Sequence, residues 1–155
     1  MRAWSAGVAV VTAFHEKTRH GMTVNSFTSI SLDPPLVSIS LQSTSRTHEM
    51  IHQSGAFGLT ILSEGQVQVS ERFAGKNGES ADRFAGLETT TLASGSPLIV
   101  GGLAWLDCRV LQTIPAGLNT LFIAEVTASH VMGEGPPLIY HNRGYWRLGE
   151  VCSAE

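Results

Sequence analysis

The stretch Gly21-Met-Thr-Val-Asn-Ser-Phe-Thr-Ser-Ile-Ser-Leu-Asp-Pro-Pro-Leu-Val37 packs hydroxyl, amide and small residues together with a single charged side chain, Asp33. Met22, Val24 and Phe27 supply apolar surface. Thr23, Asn25, Ser26, Thr28, Ser29 and Ser31 supply short donors and acceptors. Asp33-Pro34-Pro35 imposes an extended turn, because each proline fixes φ and biases the residue before it away from the helical region. Residues 36–41 then read as a strand, with Val37, Ile39 and Leu41 alternating against Ser38, Ser40 and Gln42. Two readings of the polar stretch stay open. It is a surface strand with a Thr/Ser-rich loop, or it lines a pocket for a flat, neutral, hydrogen-bonding ligand.

On the N-terminal side, residues 7–14 are β-branched and read as a buried strand. Residues 15–21 read as a polar turn, so residues 7–26 form a hairpin, and His15 and His20 in that turn are expected to be solvated. On the C-terminal side, the hydroxyl-rich run 43–47 precedes a short helix over 48–53, which Ser54-Gly55 ends. Hydroxyl residues cap the free N–H groups of a helix start. With Arg46 beside them they could also cradle an anion. Taken alone, the ordinary cap is the simpler reading.

Further along, residues 56–62 read as a strand, 66–73 as a second short helix, 76–81 as a loop and 83–87 as loop or one helical turn. Residues 104–114 alternate, Trp105, Asp107 and Arg109 against Leu106, Cys108 and Val110, and read as a long strand. A turn over 115–119 leads into a returning strand over 120–132. Residues 138–141 and 145–148 form short final strands around Asn142-Arg143-Gly144. Many short strands with few helices predict a closed, mainly antiparallel barrel, which removes sheet edges. With neither repeat nor linker, residues 1–155 read as one domain.

Composition narrows the function. The 155 residues are 43% hydrophobic but only 15% charged, against about 25–35% charged residues on a typical soluble surface, so part of the surface is expected to meet another copy. A net charge of −3 with no basic stripe argues against nucleic acid. Cys108 and Cys152 match no metal or redox spacing and read as reduced cytoplasmic thiols. No signal peptide and no membrane-spanning stretch is expected. His48-Glu-Met-Ile-His52 is an H-E-x-x-H pattern. Zinc sites of that type sit on a long helix with a third ligand. Here Ser54-Gly55 breaks the helix, and the spacing of His130 and His141 does not point to them as ligands, so no metal is expected.

Residues 7–12 (Gly-Val-Ala-Val-Val-Thr) and 21–36 together resemble the flavin reductase family with the FMN-binding split-barrel fold. These are small components that feed reduced flavin to two-component monooxygenases. Further matches run through Ser45–Thr47, Ser54–Phe57, Ser70-Glu-Arg-Phe-Ala-Gly75, Leu106-Asp-Cys-Arg-Val110, Leu121–Val126 and Pro137–Tyr140 to Tyr145. The opening is short for the family, whose members usually begin with a helix before the first strand.

The resemblance implies a Greek-key-like antiparallel split barrel with a few short helices. It implies FMN or FAD as the flavin and NAD(P)H as the reductant. Backbone groups of Thr23, Val24, Asn25 and Ser26, with the Asn25 and Ser26 side chains, would serve the pyrimidine edge of the ring. Ser40, Leu41 and Tyr145 belong to the same implied site. The phosphate end falls on Ser43, Ser45, Arg46 and Thr47 and on the Phe73-Ala74-Gly75 turn, which favours the anion cradle over the plain cap. No acid or base is called for. The protein would orient two rings for hydride transfer. A cytoplasmic homodimer serving a flavin-dependent monooxygenase is implied as well. One departure stands out: many members carry Gly-Asp-His at a hairpin turn, the His being associated with the nicotinamide, where this chain has Gly117-Leu118-Asn119. Asn119 is the feature that favours the alternative, a flavin-binding split-barrel protein without NAD(P)H reductase activity.

Overall fold

The computed structural model describes residues 2–76 and 82–150. Cys152 and most of the loop expected at 76–81 lie outside the described residues. In chain order the strands are β1 (Ala6–Gly7), β2 (Ala9–His15), β3 (Thr18–Val24), β4 (Thr28–Leu32) and β5 (Pro35–Gln42). Helix α1 (Arg46–Ser54), β6 (Ala56–Ile61), a 3-10 turn at Glu64–Gln66 and helix α2 (Val67–Phe73) follow. Then come β7 (Thr89–Thr90), β8 (Leu98–Ile99), β9 (Ala104–Ala116), β10 (Asn119–Val131), β11 (Ile139–His141) and β12 (Gly144–Trp146). The mainly β, antiparallel architecture with two short helices is the expected one.

Seven strands form one sheet in the order β3-β2-β6-β9-β10-β5-β4. It does not close into the full barrel expected: β3 and β4 are its two edges and do not pair. The three residues between them carry the chain from one edge to the other, and Ser26 is tied to β5. Its hydroxyl donates to the Ser40 carbonyl (2.9 Å) and accepts the Ser40 N–H (3.3 Å).

Strand β2 explains the long apolar run at the start. Ala9, Val11 and Ala13 pack into a core with Ile39, Leu41, Phe57, Leu59 and Phe122. Val8 and Val10 pack into a second core with Leu62, Phe73, Ile99 and Leu138. A strand buried on both faces is apolar at every step rather than at alternate ones. Helix α1 sends Met50 and Ile51 into the first core, and α2 sends Phe73 into the second.

Several expected boundaries move. The turn of the first hairpin is only Glu16-Lys17, both at positive φ (46° and 65°), with His15 paired to Thr18. Such a two-residue turn matches the strand twist, so residues 18–20 are strand and not turn. Asp33 and Pro34, joined by a cis peptide, make an equally tight turn between β4 and β5. The turn expected at 115–119 shrinks to Gly117-Leu118, and Asn119 pairs with Ala116 at the start of β10. A bulge at Thr127 shifts the register of β10 against β9. Asp107 and Cys108, on opposite faces of β9, are both buried, Cys108 in the first core and Asp107 beneath the Ser94 backbone. The Asp107 carboxylate accepts the Ser94 N–H at 2.8 Å, which satisfies one oxygen of that buried group.

Gly21 sits where β3 crosses the second core. A Cβ there would stand 2.9 Å from the Val11 carbonyl oxygen and 3.0 Å from the Phe73 ring, whereas one at Gly7 would meet nothing within 4 Å. Overpacking of this kind costs about 1–3 kcal/mol. Gly21→Ala is therefore expected to lower the unfolding free energy by about that amount in a urea titration. Gly7→Ala, the control, should leave it within about 0.5 kcal/mol.

Candidate functional site

Among the described residues strand β3 pairs only with β2, which leaves its other edge open. Arg83 reaches that edge from the segment after α2. Its Nη1 donates to the Gly21 carbonyl and to the Phe73 carbonyl, both at 2.9 Å. In an antiparallel ladder the outward-facing residues alternate. The outward Gly21 carbonyl therefore places the Thr23 N–H and C=O on the same open edge.

Three adjoining cavities run along it. One of about 330 Å³ is bounded by Thr23, Val24, Asn25, Ala74, Tyr140 and Tyr145, among others. A second, of about 660 Å³, shares Thr23 and Ala74 with the first and holds Ser45, Arg46, Thr47, Phe73, Arg83 and His20. A third, of about 510 Å³, shares Asn25, Tyr140 and Arg143 with the first and adds Arg2, Trp4 and Ser26. Together they make one trough, with Arg46 and Arg83 at the α1 end, Tyr140 and Tyr145 beside Lys76 and Arg143 in its middle, and Arg2 at the far end.

The wall is braced by hydrogen bonds. The Thr23 hydroxyl donates to the Ser70 carbonyl at 2.6 Å, and the Ser70 hydroxyl meets the Tyr145 hydroxyl at 2.8 Å. Ser45 caps α1, its hydroxyl accepting the His48 N–H at 3.3 Å, and Gly55 closes the helix in the left-handed conformation at φ 70°. Gly75, at φ 82°, turns the chain out of α2.

Of the residues expected at the site, Thr23, Val24, Asn25, Ser26, Ser45, Arg46, Thr47, Phe73, Ala74 and Tyr145 line the trough. The Val24 side chain itself is buried in the first core. Ser40, Leu41, Ser43, Gly75 and Asn119 are not in its lining. Leu41 is a core side chain. The Ser43 hydroxyl lies 3.4 Å from that of Thr120, and the Asn119 amide donates to the Ser40 hydroxyl at 3.2 Å. The two histidines of the H-E-x-x-H pattern stack on each other at 6.3 Å, and His48 Nε2 lies 2.8 Å from the Thr120 hydroxyl. Among the described residues no three His, Cys, Asp or Glu side chains are grouped to hold a metal.

Two site residues were not foreseen. His20, expected in solvent, is half-buried in the second cavity with Nδ1 2.8 Å from the Thr47 hydroxyl. Counting from a two-residue turn would have found it, since His20, Met22 and Val24 then share the strand face turned to α1. Arg83 lies 62 positions from Gly21 and carries no local signal.

Burial, reinforced by the neighbouring Arg83 and Arg46 guanidinium groups, pulls the His20 imidazole down to about 4 from its ordinary 6.5. The group is neutral in the fold at neutral pH. Between about pH 6.5 and pH 4 the unfolded chain binds a proton that the folded chain does not, so His20 makes stability fall as pH drops through that window. The thermal midpoint of the wild type is expected to decline more steeply from pH 7 to pH 4.5 than that of His20→Gln. Parallel declines in paired melting curves would refute the assignment.

The model of the flavin reductase like domain matches residues 1–149. The chain is 37% identical over 151 residues to the actinorhodin polyketide dimerase of Streptomyces coelicolor, covering 96% of this chain and 81% of that one. It is 35% identical over 145 residues to the reductase component of 4-hydroxyphenylacetate 3-monooxygenase from Thermus thermophilus, covering 94% and 90% of the two chains. It superimposes with a TM-score of 0.88 on the NADH:FAD oxidoreductase SgcE6 of Streptomyces globisporus, solved in complex with NAD and FAD fragments, at 30% identity and over 95% and 87% of the two chains. A match over nearly the whole chain, on the fold and trough described above, places this protein in the flavin reductase-like family.

Proposed function

We propose that this chain is an NAD(P)H:flavin oxidoreductase that supplies reduced FMN or FAD to a partner monooxygenase. The observation that carries the reading is the trough itself: a free strand edge offering backbone donors and acceptors, aromatic side chains beside it, and two arginines at one end. A flavin has the matching parts, a flat ring with N–H and C=O groups on one edge and a phosphate on a flexible chain. The residues present fit it.

Bound flavin supplies the acceptor atom, N5, for the hydride that leaves nicotinamide C4. The chain's own contribution is orientation. Thr23 is immobilised through Ser70 and Tyr145, so its outward N–H and C=O hold a fixed direction toward the ring edge. Arg46 and Arg83 anchor the charged end, and no side chain need move a proton in the transfer. Asn119, fixed on Ser40, is the proposed nicotinamide contact.

The second-copy reading rests on exposed apolar side chains. Ile30 and Leu32 stand on the edge strand β4, Leu111 and Ile114 on β9 and Leu118 at the hairpin tip, with Leu32 90% and Leu118 84% exposed. The low charge content also supports a homodimer that covers these side chains. Among the described residues no helix is long and apolar enough to cross a membrane. We assign the chain to the cytoplasm, where thiols stay reduced, as the free Cys108 is.

Four measurements test this. NADH or NADPH oxidation is expected only when FMN or FAD is added. A chain that binds flavin tightly yet oxidises neither nucleotide belongs to the alternative, a flavin binder without reductase activity. Arg46→Ala removes a charge-assisted hydrogen bond worth about 1.5–3 kcal/mol. It should raise the Kd for FMN roughly tenfold or more. Asn119→Ala should raise the apparent KM for NAD(P)H roughly two- to tenfold through loss of one ordinary hydrogen bond, with flavin affinity unchanged. Sedimentation at micromolar concentration is expected to give a dimer, and Leu32→Glu to give a monomer.

A further inference from the structure

We propose that His20 is a ligand of the flavin phosphate, an N–H donor oriented by Thr47, and that this pair makes the site prefer phosphorylated flavins to riboflavin. The inference rests on the flavin reductase reading and names a contact inside that site.

The ring is anchored on one side. Its Nδ1 lies 2.8 Å from the Thr47 hydroxyl, and Thr47 is completely buried. That hydroxyl has no other partner among the described residues. A hydroxyl proton buried without an acceptor is costly. The proton therefore points to Nδ1, which leaves the ring's own proton on Nε2. Thr47 cannot then serve a ligand directly, and acts through the imidazole as a positioning residue.

The other side of the ring is open. Among the described residues Nε2 has no partner, and it is not shut away from solvent, while His20 lines the cavity that also holds Arg46 and Arg83. The charged groups facing the ring are Arg46 from α1 and Arg83 from the segment after α2. On β3 itself, Arg19 is turned to Asp82 at 3.6 Å. Among the described residues no carboxylate forms an ion pair with Arg46 or Arg83. Among the described residues, two guanidinium groups and a fixed N–H face one cavity without a carboxylate to pair them. A phosphate monoester, with several acceptor oxygens, fits that set. Before an anion enters, burial together with those two cations keeps the ring uncharged, so it offers an N–H in a fixed direction.

The test is calorimetric titration of the full chain with FMN and with riboflavin, for wild type, His20→Ala, His20→Gln and Thr47→Val. The wild type is expected to favour FMN. His20→Ala should raise the Kd for FMN about tenfold and leave that for riboflavin within about twofold. His20→Gln, which restores an N–H donor, should recover part of the loss. Thr47→Val, which keeps the shape and frees the ring, should lower the FMN preference severalfold, and it decides the matter on the same ratio if His20→Ala does not fold. Equal losses for FMN and riboflavin, or an unchanged preference in both His20→Ala and Thr47→Val, would overturn the proposal. NADH oxidation is read separately. A chain inactive with every flavin loses the reductase reading, while the FMN-to-riboflavin ratio still decides the role of His20.

Discussion

Over residues 9–13, strand β2 has no face to give to water. Val11 and Ala13 look into the core formed with β5, β6 and β10, and Val10 looks into the core beneath α2 and β8. That constraint orders the rest of the molecule. Each face must be covered by apolar surface from a distant part of the chain, since burial is what offsets the cost of ordering the backbone. Helix α1 is spent on one face and α2 on the other. Close fits such as Gly21 against the Val11 carbonyl and the Phe73 ring follow from packing β3 alongside so crowded a strand.

The candidate site is what this arrangement leaves over. With both helices committed to covering β2, β3 is paired on one side only, and its free edge runs between the start of α1 and the end of α2. An exposed edge invites pairing with another chain. Here Arg83 occupies the Gly21 carbonyl, and the flanking elements raise walls on either side, so the edge lies at the bottom of a trough. The backbone groups that remain there are held by the sheet itself. That makes them better placed to orient a flat ligand than side chains on a loop would be.

The charged end follows different rules from the middle. Arg83 spends one guanidinium nitrogen on two backbone carbonyls, so its position is fixed before any ligand arrives. Arg46 lies at the first turn of α1, where backbone N–H groups also point outward. His20 sits between these cations without sharing their charge. A third positive group there would be opposed by the other two and by burial. The polar stretch after it, 23 to 26, adds donors and acceptors but no charge of its own, which suits the edge of a neutral ring.

Much of this was legible in the local sequence. The doubly apolar run 8–11, the alternation of β5, the Ser45 cap with Gly55 behind it and the polar, uncharged stretch 23–26 each express a short-range rule: side-chain period, proline geometry or helix capping. Those rules act between neighbours, so residue order alone carries them. What tertiary structure decided lies between residues far apart in the chain. His20 meets Thr47, Thr23 meets Ser70, and Arg83 meets Gly21. No periodicity records such pairs, because each depends on which strand lies at the edge and which helix crosses it. The turn boundaries moved for the same reason. Glu16-Lys17 and Gly117-Leu118 are turns because the paired strands on either side demand two-residue connections, and that demand turned His20 out of solvent and into the trough. The sequence by itself determined the strands, the caps and the chemical character of the 23–26 stretch. Only the packing of both faces of β2 decided that β3 would be an edge, and so that those residues would face a cavity.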